Sequence, residues 1–166
     1  SYSRNIPVQK VSPRSEEIVV QEAWIDDQSP EDISNFVEKL RQEEAYDVSY
    51  HATNMKKDRI GYSIQVILPL EKKEHFRKLW FKYSSTIGVR ERIQSRWILL
   101  RRSGECLTDF GKIKVKQTLK PDGSISQKPE NDEISRLSLE HNKSNEEIRN
   151  VIEKSSSNFK SLESWE

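Results

Sequence analysis

Four short stretches carry the residue types that handle charge. Asp26-Asp27 closes an apolar run just before a helix start signal. Adjacent carboxylates at a strand end can offer oxygen to a hard divalent cation. Aspartate at the same place also supports turns and helix N-caps. Lys56-Lys57-Asp58-Arg59-Ile60-Gly61 puts three cations into four residues and follows them with glycine. Such a turn can wrap a polyphosphate, and it is also the composition of a solvated hairpin loop. Ser84-Ser85-Thr86-Ile87-Gly88-Val89-Arg90 combines hydroxyls, a glycine and an arginine. That set can cradle an anion, or serve as a glycine C-cap followed by polar loop residues. It is not a P-loop, because no GKS or GKT occurs. Gln127-Lys128-Pro129-Glu130-Asn131-Asp132 precedes a helix pattern. Its carboxylates can ligate a metal, or cap the helix and complement its dipole.

Other chemistries find little support. His51, His75 and His141 are scattered and make neither the HxH nor the HExxH spacing of a histidine metal site. The single cysteine, Cys106, excludes a disulfide framework and a cysteine-based zinc site. It fits a reduced, cytoplasmic protein. No serine–histidine–aspartate order stands out for nucleophilic catalysis. Arg90, Arg92 and Arg96, and the alternating Lys112, Lys114 and Lys116, invite a nucleic-acid reading. The aromatic string that stacks RNA bases on such a sheet is missing, so no nucleic acid is expected. A formal net charge of +1 gives no bulk attraction to nucleic acid or membrane. No apolar run approaches the roughly 20 residues of a membrane span, and no signal peptide is visible. The chain opens Ser1-Tyr2-Ser3 without methionine, as a trimmed chain or a piece of a longer one would. With 33% hydrophobic and 33% charged residues and a mean hydropathy of -0.86, the core is lean. Polar tails or an oligomer of small modules have this texture.

The elements that must position these stretches follow from periodicity. Residues 1–17 read as a polar arm or linker with Pro7 and Pro13. Ile18 to Ile25 is a strand. Ser29 is a natural N-cap with Pro30 in the first helical position, and Asp32 can close a capping box. Ile33, Phe36, Val37 and Leu40 then form one helical stripe. Tyr46, Val48, Tyr50 and Ala52 alternate with polar residues, as do Tyr62, Ile64, Val66 and Leu68, so both runs are half-buried strands. Glu71 to Tyr83 returns to helical spacing, and Val89 to Leu100 is one long extended run. The order β-α-β-β-α-β over 18–102 is the ferredoxin-like pattern in an α+β fold, with both helices on one face of the sheet. After Arg102, residues 103–153 read as a small β-hairpin and two-helix domain. Lys112 to Lys116 starts the hairpin, and Lys120-Pro121-Asp122-Gly123 is its turn. Ile134 and Leu137 mark one helix; Ser144 and Glu147 cap the next. At roughly 50 residues this domain needs a neighbour to lean on. Residues 154–166 read as a flexible tail. Phe159, Leu162 and Trp165 fall there at helical spacing and could dock on a partner.

The charged strings occur together, and in order, in one family. Glu22-Ala23-Trp24-Ile25-Asp26-Asp27-Gln28-Ser29-Pro30-Glu31 resembles the E-T-N-I-D-D-M-N-P-E of the LarC-type nickel insertion proteins. Met55 to Gly61 resembles their M-K-K-N-R-P-G, and Thr86 to Arg90 their T-T-I-G-V-R. Lys128-Pro129-Glu130 resembles the start of K-P-E-Y-E-D, and Leu137 to Glu147 the helix after it. Departures are Ala23-Trp24 for T-N, Gln28-Ser29 for M-N, Ile60 for proline and Asn131 for tyrosine. They bear on fine positioning at those loops; the charged residues carried over are all retained.

The resemblance covers the C-terminal half of that family's longer chain. It implies CTP hydrolysis, with Mn(II) or Mg(II), coupled to insertion of Ni(II) into pyridinium-3,5-bisthiocarboxylic acid mononucleotide. The product is the nickel-pincer nucleotide of lactate racemase. Lys56, Lys57, Arg59, Thr86, Arg90 and Lys128 are then the expected phosphate-binding residues, and Asp26, Asp27 and Glu130 the expected metal ligands. Expected partners are CTP, the pyridinium nucleotide precursor and further copies of the chain in a homo-oligomer, a trimer or hexamer. The nickel-handling N-terminal half of the family lies outside this sequence, so the chain alone is expected to bind CTP without completing nickel insertion. The alternative is a stand-alone ferredoxin-like oligomerisation or ligand-sensing module without catalysis. A reading frame extended upstream by clustered His, Asp and Glu favours the first; a start near Ser1 favours the second.

Overall fold

A computed structural model describes residues 13–155 and 158–166. The chain divides into two compact units, one of residues 15–96 and one running from Trp97 to the C-terminus. The described residues form an α+β fold with two four-stranded sheets and four α-helices.

In the first unit, β1 (Arg14–Ile25), β2 (Asp47–Asn54), β3 (Ile60–Pro69) and β4 (Arg90–Ile98) form a sheet in the order β2-β3-β1-β4. β3 pairs antiparallel with both β1 and β2, with Ile25 opposite Tyr62 and Thr53 opposite Gly61. Helices α1 (Pro30–Gln42) and α2 (Lys73–Tyr83) share one face. Side chains alternate across a strand, so Val19, Ala23 and Ile25 of β1 meet Ile64, Val66 and Leu68 of β3 in the core beneath the helices. α1 contributes Ile33, Phe36, Val37 and Leu40; α2 contributes Phe76, Leu79 and Trp80. The two helices touch through Phe36 and Trp80, whose rings lie 5.2 Å apart in the tilted geometry aromatic pairs prefer. The Ser29 hydroxyl accepts the Asp32 amide at 3.1 Å and caps α1 as its sequence requires.

In the second unit, β5 (Arg101–Thr108), β6 (Gly111–Leu119), β7 (Ile125–Pro129) and β8 (Phe159–Ser161) form a sheet in the order β7-β6-β5-β8. α3 (Asn131–His141) and α4 (Asn145–Lys154) pack on it. Their Ile134, Leu137, Ile148 and Ile152 join Cys106, Ile113 and Val115 in a second core. The reciprocal Ser144–Glu147 capping box starts α4.

Several boundaries differ from the sequence reading. Most of the arm expected over 1–17 lies outside the described residues, but β1 already begins at Arg14, where Glu16 forms an ion pair with Arg96. Leu70–Lys72 is a short 3-10 turn before α2, because Pro69 ends β3 in extended geometry. The run expected over 89–100 stops at Ile98; Leu100 turns away to accept a hydrogen bond from Leu119. β5 was not expected. Residues 154–166 are not a free tail where they are described. Phe159–Ser161 pairs with β5, Leu162 donates to the Ser103 carbonyl, and Arg101 and Glu166 exchange backbone hydrogen bonds. The Arg102 guanidinium stacks on both Phe159 and Trp165.

Gly104 makes that last pairing possible. A Cβ there would sit 2.3 Å from Phe159 Cζ and 2.5 Å from the Lys160 carbonyl oxygen. Gly104→Ala is therefore expected to loosen β8, which limited proteolysis would report as faster cleavage after residue 155. Unchanged cleavage would mean that β8 is not held by this close approach.

Candidate functional site

The charged stretches of the first unit meet at one end of its sheet. Asp26 and Asp27 directly follow β1. The Lys56–Arg59 turn joins β2 to β3 and abuts the same strand end. At Gly61 an added Cβ would lie 2.8 Å from the Ile25 carbonyl oxygen and 3.2 Å from Asp26 Cα. The loop from Ser84 to Val89 is tied to this end as well: the Ser85 amide donates to Gln28 Oε1 at 3.2 Å and its hydroxyl donates to Asp27 Oδ1. Arg90 begins β4 with its guanidinium 4.9 Å from the centre of the Trp24 ring and its Nε 3.5 Å from Glu22.

The basic turn is held in an uncommon conformation. Met55 N donates to the Arg59 carbonyl at 2.7 Å, and the central residues Lys57 and Asp58 have φ of 60° and 56°. Positive φ at both central positions is the geometry of the tightest hairpin turns, and it favours Asn-Gly. Here a lysine and an aspartate adopt it at a cost in backbone strain. Lys56, Lys57 and Arg59 are all exposed, and none forms an ion pair with a described residue.

The other candidates have protein partners of their own. Thr86 Oγ1 donates to the Gly88 carbonyl at 2.7 Å and holds its loop in shape. Asp27 carries the Ser85 hydroxyl; Asp26 is exposed. Trp24, Ile25, Asp26, Asp27, Ser85, Thr86 and Ile87 line a cavity of about 260 Å³. Lys128 and Glu130 belong to the second unit. Lys128 stands opposite Lys116 across the β6–β7 pair. These three line a cavity of about 560 Å³ with Thr118, Pro129 and Asp132. Two facing lysines repel each other, and Glu130 and Asp132 balance them in charge within the same cavity.

Among the described residues, no three His, Cys, Asp or Glu side chains converge on a metal-sized site. Asp26 and Asp27 fit a hard cation that takes most of its ligands from phosphate and water, as Mg(II) does. Cys106 is buried in the second core. Burial pushes its thiol up, against the Gln127 hydrogen bond, and among the described residues it belongs to no cluster of three His, Cys, Asp or Glu side chains. His75 pairs with Glu43, and His141 packs on Phe110.

A buried polar chain sets the position of the last loop. Gln21 is fully buried. It accepts from Trp80 Nε1 at 3.1 Å and donates to the Lys73 carbonyl and to Glu91 Oε1. Arg77 completes the chain with two bonds to Glu91, at 2.8 and 2.6 Å. This ties α2, from its first residue Lys73 through Arg77 to Trp80, to the start of β4 beyond Ser84–Val89. Arg77 foremost, with Gln21, holds the Glu91 carboxyl below its ordinary 4.5 against the opposing effect of burial. A depressed folded pKa gives stability that is present above the unfolded value and lost as pH falls through the folded one. Thermal melts should therefore show a shallower acid decline below about pH 4.5 for Glu91→Gln than for the parent. Glu43, Asp122 and Glu147 also lie below their ordinary values, so both chains keep some decline. Equal slopes would remove Glu91 from the acid response.

The family model for nickel insertion proteins matches residues 4–149. The chain belongs to the nickel insertion protein family. A nickel insertion relative from Staphylococcus saprophyticus, named for pyridinium-3,5-bisthiocarboxylic acid mononucleotide, is 31% identical over 82% of this chain and 35% of its own length. A protein of Geotalea daltonii named for nickel insertion is 35% identical over 84% of this chain and 36% of its own. The chain thus spans about a third of these relatives. Among solved structures, one neighbour is the apo C-terminal domain of a cyclometallase involved in the synthesis of the NPN cofactor of lactate racemase. It matches with a TM-score of 0.75 and 24% identity, over 87% of this chain and 99% of that domain. A protein of Methanopyrus kandleri follows with a TM-score of 0.66 and 18% identity, over 87% and 90%. At these identities the likeness establishes the fold. No helix among the described residues is long and apolar enough to cross a membrane.

Proposed function

We propose that this chain is the nucleotide-binding and assembly portion of a CTP-dependent nickel chelatase. The whole enzyme would insert Ni(II) into pyridinium-3,5-bisthiocarboxylic acid mononucleotide to make the nickel-pincer nucleotide, working in the reducing cytoplasm. The observation that carries this reading is the basic turn. Three exposed cations, with no ion-pair partner among the described residues, stand on a strained hairpin against the carboxylate-bearing end of β1. Lys56, Lys57, Arg59 and Arg90 bind the triphosphate. Thr86 shapes the adjoining loop and presents its hydroxyl. Mn(II) or Mg(II) bridges phosphate oxygens, with Asp26 and Asp27 offering one or two carboxylates. Cations on those oxygens stabilise the charge that develops as the phosphate chain is cleaved. Lys128 and Glu130 serve a second phosphate and cation contact in the other unit. The strand order β2-β3-β1-β4, with both helices on one face, supports a ferredoxin-like reading of the first unit.

The test is calorimetric titration with CTP and with ATP, each with and without Mn(II), at moderate salt. Metal-dependent binding that favours CTP is expected, and the chain alone should leave the organic precursor without nickel. Installation of nickel by the chain alone would refute the division of labour. A second reading, an assembly module in a homo-oligomer such as a trimer or hexamer, is favoured by Ile87, which is 99% exposed at its loop tip. Silence with every nucleotide would select it.

A further inference from the structure

We infer that Trp24 is the stacking platform for the planar ring of the bound nucleotide, an assignment that rests on the phosphate-binding reading above. Ala23 and Ile25 are buried in the core, so strand alternation turns Trp24 to the face away from the helices. There it remains 57% exposed. Arg90 lies against the ring, yet more than half of the indole stays open at the rim of a polar cavity, as apolar surface a flat ring could cover. The cavity it lines otherwise presents two carboxylates, two hydroxyl residues and the exposed Ile87. A nucleotide has matching parts: an aromatic ring with flat faces, polar ring edges, and a polyanionic end. The ring takes the indole and Ile87, its polar edge takes Ser85, and the phosphates run toward the cations, with the carboxylates left for the metal.

The neighbour on Trp24 agrees with this order. Arg90 lies against the indole at 4.9 Å, so the aromatic residue and a phosphate-binding cation are adjacent at this end of the sheet. The LarC-type pattern has asparagine at the place of Trp24, so the platform belongs to this chain and is not carried over from the family. Stacking on an aromatic side chain is indifferent to the phosphates and sensitive to the ring. That separates it from the competing role, in which Trp24 only props up Arg90.

The experiment uses the full chain with Mn(II) and compares CTP with inorganic tripolyphosphate. Trp24→Ala is expected to weaken CTP about tenfold while changing tripolyphosphate by less than about twofold. Trp24→Phe, which keeps a flat ring, is expected to retain most of the CTP affinity. Equal losses of both ligands would overturn the platform, because Trp24 would then act through Arg90. Unchanged CTP binding in Trp24→Ala would overturn it too. If the parent chain binds tripolyphosphate as tightly as CTP, the platform falls and the phosphate site stands. If the parent binds neither, both readings fall together.

Discussion

Replacing Lys56, Lys57 and Arg59 together by alanine is expected to abolish measurable CTP binding, a loss of at least about 100-fold. Hydrogen bonds to charged groups contribute about 1.5–3 kcal/mol each, and each 1.4 kcal/mol is about tenfold in affinity. The three side chains are exposed and without ion-pair partners among the described residues, so their removal should leave the fold intact. Circular dichroism and melting temperature will show this. Raising the salt concentration should weaken binding by the parent, since screening acts where charge binds charge.

Lys57→Gly separates strain from charge within the same turn. Lys57 has φ of 60°, a region glycine enters freely. The substitution should raise stability by up to about 1 kcal/mol and still weaken CTP about tenfold. A turn selected for stability alone would not put lysine there. If Lys57→Gly binds CTP as well as the parent, the lysine is a solvated loop residue and the site must rest on its neighbours. If the triple variant binds normally, the phosphate reading is wrong.

What the sequence made legible depended on how local the signal was. α1 and α4 carry their own start signals in Ser29-Pro30 and in Ser144 with Glu147, and their apolar stripes match the residues buried in the two cores. The charged strings were legible as short motifs, because each sits within one loop. Links between loops were not. Ser85 reaches Asp27 across 58 positions, and Gln21 reaches Glu91 across 70. Gln21 itself looks like a surface residue until Trp80 and Glu91 satisfy its amide in the core.

Misses have similar causes. β5 reads Arg-Arg-Ser-Gly-Glu-Cys-Leu-Thr, where charges and a glycine hide the inward pair Gly104 and Cys106. Phe159, Leu162 and Trp165 suggest a helix by spacing. Yet Phe159 packs on the second core, and Arg102 stacks on both Phe159 and Trp165. Those contacts, and the backbone bonds of β5 to the chain end, exist only once β5 is in place. Lys116 reads in the sequence only as one of three alternating lysines, because its partner Lys128 is brought opposite only by the β6–β7 register.

Gly61→Val is expected to cost about 3 kcal/mol of stability and to remove CTP binding even at temperatures where the chain stays folded. The glycine is needed for space: a Cβ would meet Met55 Sδ at 2.3 Å, the Ile25 carbonyl oxygen at 2.8 Å and Asp26 Cα at 3.2 Å. Methionine is flexible and can move, but the other two atoms are backbone of β1. Overpacking of a site that cannot yield costs about 1–3 kcal/mol, and a branched side chain takes the upper end. Met55→Ala in the same chain removes the Sδ clash and leaves the carbonyl in place, so the double variant should recover only part of the loss. Full recovery would mean that Met55 alone filled the space and that β1 does not set the position of the turn. Binding should stay lost in the double variant, because the basic turn would still be pushed off Asp26. The same substitution thus tests whether the family's glycine, following its cations, serves to press the phosphate-binding turn against the carboxylate end of the neighbouring strand.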